Sequence, residues 1–161
     1  MTDGLAPSLV LGEVIEVQST VEGHLVRLQR YDMPPGVETD WISVATPMAG
    51  DNAGFLWTPS ADAGDIAVVA FAGARPIVLG FVYGGGQQMP ASKPEEHVLK
   101  SRDDTSITLI DGADGGIVLK DKSGNEIRMD KDGITLTSSG AITIEAKKTA
   151  TVKGSTVELN P

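Results

Sequence analysis

The chain has 161 residues, carries 22 Asp/Glu against 13 Lys/Arg for a formal net charge of −9, and contains no cysteine. That length excludes a large multidomain enzyme, and the missing cysteines exclude disulfides, thiolate metal sites and cysteine nucleophiles. So acidic a chain repels phosphate, so neither nucleic-acid binding nor electrostatic attachment to anionic lipid is expected.

The opening residues Met1-Thr-Asp-Gly-Leu-Ala-Pro7 lack a basic region followed by an apolar run, so no Sec signal peptide is expected. Residues 9–83 then read as short strands. Val10–Val17 is apolar and β-branched, and His24–Tyr31 places Leu25 with Arg27 and Val26 with Leu28 on alternate faces, with a hairpin connection around Thr20–Gly23. Trp41–Ala45 is a third strand, followed by a glycine-rich stretch from Pro47 to Asp65. Ile66–Phe71 and Ile77–Tyr83 complete the set, separated by Gly73-Ala-Arg-Pro76, a turn built on two structure breakers. Five strands without a helix predict a small closed barrel of the OB type, because closure removes exposed sheet edges. All seven aromatic residues lie in the first 83 positions. They are therefore expected to fill the barrel interior.

Residues 84–96, Gly-Gly-Gly-Gln-Gln-Met-Pro-Ala-Ser-Lys-Pro-Glu-Glu, form a linker by composition. Beyond it, pairs of aliphatic residues two positions apart recur: Ile107/Leu109, Ile117/Leu119, Ile127/Met129, Ile134/Leu136, Ile142/Ile144, Ala150/Val152 and Val157/Leu159. That spacing is one face of a strand, and the intervening Gly/Asp/Ser/Asn segments supply turns, so 97–161 is an internal repeat of strand plus turn. Seven such strands leave one apolar stripe with no aromatic residue, helix or second sheet to cover it. The stripe must meet copies of itself, and a three-fold axis lets three stripes enclose a shared aliphatic core. Fourteen inward residues at roughly 1.5–3 kcal/mol each would contribute on the order of 20–40 kcal/mol of gross burial per chain, obtainable only in the oligomer. The expected organisation is thus all-β: a barrel at 1–83, a linker at 84–96 and a trimeric repeat domain at 97–161.

Trp41-Ile-Ser-Val-Ala-Thr-Pro-Met-Ala-Gly50, with Pro47 and Gly50 in its terminal turn, resembles the tryptophan strand of the central spike proteins of contractile injection systems. Pro59 followed by Gly64-Asp65 and a strand ending at Phe71, and Pro76-Ile-Val-Leu-Gly80-Phe-Val-Tyr83, resemble two further motifs of that family in the same order. Its members include phage baseplate spikes of the gpV type, the valine–glycine repeat proteins of type VI secretion, and pyocin and extracellular injection-system spikes. The resemblance implies an OB-fold barrel followed by an intertwined triple-stranded β-helix, or β-prism. It further implies a homotrimer seated on a baseplate hub and driven through a target membrane. Such a particle is assembled in the bacterial cytoplasm and acts at the target envelope after release or firing. The short linker leaves no room for an inserted effector domain, and with only His24 and His97 in the chain an iron-capped apex is not expected. The blunt end, with Val157, Leu159, Asn160 and Pro161 as contact candidates, is expected to be capped by a tip protein of the PAAR type.

Catalytic and ligand-binding readings are weaker than structural ones. His24 starts a barrel strand and reads as a satisfied structural histidine; His97, beside Glu95 and Glu96, has too few neighbouring ligands for a metal. Asp103-Asp104 and Asp130-Lys-Asp132 read as solvated turns, and Gly84-Gly-Gly86 precedes no helix that would cradle phosphate. No enzyme activity and no cofactor are expected. The alternative from another class is an OB-fold binding module with a repetitive adhesive tail that recognises a glycan or other polymer.

Overall fold

The computed structural model describes residues 9–158, and in them every regular element is a strand. The chain divides into two compact units between Gln88 and Met89. In the first, β1 (Leu9–Thr20), β2 (Gly23–Arg30), β3 (Ile42–Val44), β6 (Ile66–Ala72) and β7 (Arg75–Val82) close a barrel in the order β1-β2-β3-β7-β6, while β4 (Ala49–Gly50) and β5 (Ala53–Gly54) form a separate hairpin between β3 and β6. The β3–β7 pairing is parallel and the other four are antiparallel. This is an OB-type closed barrel, as expected.

β1 closes it by serving two neighbours. Its first half, Leu9–Glu13, pairs with β6, and Gly12–Thr20 pairs with β2 across a bulge between Val14 and Glu16. Gly12 belongs to both ladders, and a Cβ there would stand 3.1 Å from the Gln29 carbonyl oxygen and 3.3 Å from the Arg30 Cα. Glycine permits that close approach.

The interior differs from the expectation. The buried core is Val14, Val26, Leu28, Ile42, Ala67, Val69 and Val78, all aliphatic, and Phe71 is the one aromatic ring packed against it. Trp41, Phe55, Trp57, Phe81, Tyr31 and Tyr83 are all more than 40% exposed. The physical reason is cross-section: five short strands enclose a space that Val, Leu and Ile fill, and the rings are left on the outer surface and the loops.

In the second unit, β8 (Glu96–Lys100), β9 (Ser106–Ile110), β10 (Gly116–Lys120), β11 (Glu126–Asp130) and β12 (Gly133–Thr137) form an antiparallel meander in which each strand pairs with its sequence neighbours. Short turns join them. Asp121 shapes the β10–β11 turn by accepting hydrogen bonds from the Ser123 and Asn125 N–H groups at 2.8 and 2.9 Å and from the Asn125 side-chain amide at 2.7 Å, and Gly124 takes the positive φ of 87°. Residues 138–158 carry no strand, although the spacing predicts strands at Ile142/Ile144 and Ala150/Val152. Within one chain these segments have no ladder partner, and a strand without a partner has no backbone hydrogen bonds to define it.

Candidate functional site

Successive side chains of a strand point to opposite faces, so the register of β8–β12 decides what each face of the sheet presents. One face carries two cross-strand rows, His97–Leu109–Ile117–Met129–Ile134 and Leu99–Ile107–Leu119–Ile127–Leu136. The other carries three rows, Glu96–Ile110–Gly116–Asp130–Gly133, Val98–Thr108–Val118–Arg128–Thr135 and Lys100–Ser106–Lys120–Glu126–Thr137. The sheet is therefore sharply two-sided. Its aliphatic face is open: Ile107, Leu109, Ile127, Ile134 and Leu136 are 40–69% exposed, while Ile117, Leu119 and Met129 in the middle strands are half-buried by their neighbours. Contiguous apolar surface of this kind marks an interaction surface.

The eight aliphatic residues that the repeat singles out between Ile107 and Leu136 thus come together in one layer. Ile142, Ile144, Val152 and Val157 lie in the strandless stretch, exposed by 53%, 77%, 75% and 51%. Leu159, Asn160 and Pro161 lie outside the described residues. Sequence reasoning missed Leu99 and His97, which extend both rows by one strand. The signal was a single pair, and its first member is the only polar residue in ten; the aliphatic spacing rule stopped one strand short. His97 lies on the edge strand β8, with Nε2 3.0 Å from an Asp111 carboxylate oxygen.

The opposite face holds an open cleft of about 550 Å³ whose lining includes Lys100, Ser106, Lys120 and Asp121. Most of its charge is internally matched. Lys100 pairs with Asp104 at 2.8 Å, Lys122 with Asp103 at 3.2 Å, and Asp121 is consumed by the turn it shapes. These contacts hold carboxylates below their ordinary range: Asp104 chiefly through Lys100, Asp121 through the Asn125 side chain, and Asp130 through the Asp132 N–H and then Arg128. Asp103-Asp104 and Asp130-Lys-Asp132 therefore act as turn and ion-pair elements. Among the described residues no group of three or more His, Asp or Glu side chains is arranged to hold a metal ion, and no helix is long and apolar enough to cross a membrane.

In the barrel, His24 is 8% exposed, with Nδ1 3.1 Å from Ser19 Oγ and Nε2 3.0 Å from Thr58 Oγ1. It is a structural histidine. The motif residues take separate positions. Trp41 precedes β3 with the Arg27 guanidinium 6.0 Å from its ring centroid, Pro47 lies in the approach to the β4–β5 hairpin, and Gly50 belongs to that hairpin. Pro59 is buried, Gly64 takes a φ of 62°, and an Asp65 carboxylate oxygen accepts the Ser60 N–H at 2.8 Å, which fixes the entry into β6. Phe71 lies under Arg30 at 5.2 Å, Pro76 and Gly80 lie in β7, and Tyr83 follows it, exposed. They are distributed along the strands and loops of the barrel unit.

Two family models match. Residues 10–83 match the type VI secretion system/phage-baseplate injector OB domain, and residues 96–161 match the phage baseplate V C-terminal trimerisation domain. No match was found among the curated proteins. The closed barrel and the open aliphatic sheet face are the structural counterparts of an injector OB domain and of a self-associating domain in a tail-assembled particle, and with both matches in this order the chain belongs to the phage baseplate V family of structural spike proteins.

Proposed function

We propose that the protein is the membrane-puncturing central spike of a contractile phage tail or related injection system, acting mechanically as a homotrimer and without catalysis. The observation that carries this reading is the pair of aliphatic rows on β8–β12, uncovered in a single chain and matched to a trimerisation domain. Three copies facing one axis would bury Ile107, Leu109, Ile117, Leu119, Ile127, Met129, Ile134 and Leu136. The strandless residues 138–158 would gain backbone partners from neighbouring chains, and Ile142, Ile144, Val152 and Val157 would continue the axial core. Stiffness follows from that arrangement: with the backbone of β8–β12 paired within each chain, that of 138–158 paired between chains, and no hinge along the axis, axial load is spread over the whole stack.

The barrels would seat on the baseplate hub, and the end bearing Val157, Leu159, Asn160 and Pro161 would be covered by a PAAR-type tip protein. The particle would be assembled in the producing bacterium and would meet the target envelope on firing. Sedimentation or light scattering tests the core of the proposal. A chain of 16.8 kDa gives a trimer of about 50 kDa, and a stable species at 16.8 kDa would overturn it.

A further inference from the structure

The barrel has an apolar end. The β1–β2 turn and the β4–β5 hairpin lie at the same end, because β3 runs antiparallel to β2 and delivers the chain to the hairpin beside that turn. The 3.0 Å hydrogen bond between His24 and Thr58 joins the start of β2 to the segment that follows the hairpin. Val21 is fully exposed there, Met48 and Leu56 are 61% and 67% exposed, and the Phe55 and Trp57 rings stack at 6.5 Å between centroids, each more than 40% exposed. The hairpin is braced, since Phe55 N–H donates to the Met48 carbonyl at 3.0 Å and Thr46 Oγ1 donates to the Phe55 carbonyl. The hairpin is also poor in charge: residues 46–58 contain one charged side chain, Asp51, and the neighbouring β1–β2 turn adds Glu22, on a barrel unit whose residues 9–88 hold 9 Asp/Glu against 3 Lys/Arg.

We infer that three barrels of one assembly meet through this apolar end, so that self-association has a second interface apart from the β8–β12 face. The inference rests on the homotrimer reading above. Two observations select a second copy of the chain as the occupant. First, β7 runs parallel to β3, so the chain leaves the barrel at this same end, and its exit is short. Gln87 anchors Gly84–Gln87 to the barrel by donating to the Ala63 and Gly64 carbonyls, both at 3.1 Å, and by accepting the Gly84 N–H. Residues 88–95 then remain before β8, a tether of at most about 28 Å. Three apolar ends on such tethers are held at the millimolar effective concentrations of short linkers. Second, like-charged bodies approach where charge is least, and the hairpin is the charge-poor face of an acidic barrel.

The chain contains no cysteine, so a single introduced thiol reports cleanly. Leu56→Cys at the apolar end and Val37→Cys in the β2–β3 loop at the opposite end, both exposed, are treated with a short bismaleimide at high dilution, and nitroxide labels at the same positions give distances independently. Leu56→Cys should crosslink within the trimer on the order of tenfold more than Val37→Cys, reflecting the local concentration. A trimer in which the two positions crosslink equally, or in which the Leu56 labels are the more widely separated, overturns the inference and leaves the trimer standing. A 16.8 kDa monomer overturns both.

Discussion

Leu119 on β10 stands directly opposite Ile127 on β11 in the antiparallel ladder, and one strand further out on either side Ile107 and Leu136 continue the row. The line of four aliphatic residues is a register property as well as a compositional one. A slip of one residue in any of these strands would turn its apolar pair to the charged face.

Ile127→Asp tests which face associates. Ile127 is 40% exposed in the single chain, so an aspartate there is tolerated by the isolated sheet. In a trimer closed on this face it places three carboxylates in an apolar interior, each costing several kcal/mol when unpaired. Light scattering should show the mass fall from about 50 to 16.8 kDa with far-UV circular dichroism of the barrel preserved. Thr135→Asp, on the opposite face, should leave the trimer intact; dissociation by both substitutions would mean that the aliphatic face is not specifically the buried one.

His24→Ala removes the side chain that bridges Ser19 and Thr58 at 3.1 and 3.0 Å. The loss of two hydrogen bonds at a nearly buried site should destabilise the barrel by about 1–3 kcal/mol. For a unit of this size that lowers Tm by roughly 4–8 °C per kcal/mol, readable by calorimetry. His24→Gln, which restores one bond, should recover part of the loss. An unchanged barrel transition in both variants would exclude a bracing role for His24.

Acid should weaken the second unit. Asp121, Asp130 and Asp104 are held below the usual aspartate range by Asn125, by the Asp132 N–H, and by Lys100, respectively. A carboxylate with a depressed folded-state pKa contributes stability that is complete above its unfolded value, so the contribution should be flat from neutrality down to about pH 4 and decline below that. Asn125→Ala removes the largest influence on Asp121 and also the acceptor of Ser138 Oγ and Ser139 N–H, so it should raise the Asp121 titration midpoint toward the ordinary value in carboxyl NMR. An unmoved midpoint would separate Asp121 from its turn.

Much of this organisation was legible in the chain. β-Branched alternation marked the barrel strands to within a few residues, since Val26 and Leu28 in β2 and Val69 in β6 must face a common interior. The two-residue period put both members of each aliphatic pair from Ile107 to Leu136 on one face of its strand, and the register then brought the pairs to the same face of the sheet. The location of the rings was not legible. Trp41 and Phe81 sit in or beside strands, and composition does not tell which side of a small barrel a ring takes. β8 escaped because His97 interrupts its apolar pair, and the behaviour of 138–158 depends on partners that one chain does not contain.

Two glycines in barrel strands should respond in opposite ways. Gly12 lies where β1 passes from β6 to β2, and an added Cβ would press on the Gln29 carbonyl oxygen at 3.1 Å, the Arg30 Cα at 3.3 Å and the Leu28 Cβ at 3.3 Å. These are backbone or buried neighbours with little freedom to retreat. Gly12→Val should therefore destabilise the barrel by about 1–3 kcal/mol through overpacking. Gly80 in β7, part of the Pro-Ile-Val-Leu-Gly motif, has nothing within 4 Å of an added Cβ and takes no left-handed φ. Gly80→Ala should be neutral, or stabilising by about 0.4–1 kcal/mol through a less flexible unfolded chain. Thermal unfolding of the two variants decides the matter: a large loss at Gly80 would mean that the position faces a partner in the assembly, where the added methyl collides, and comparing monomeric Ile127→Asp with and without Gly80→Ala would separate that collision from an effect inside the barrel.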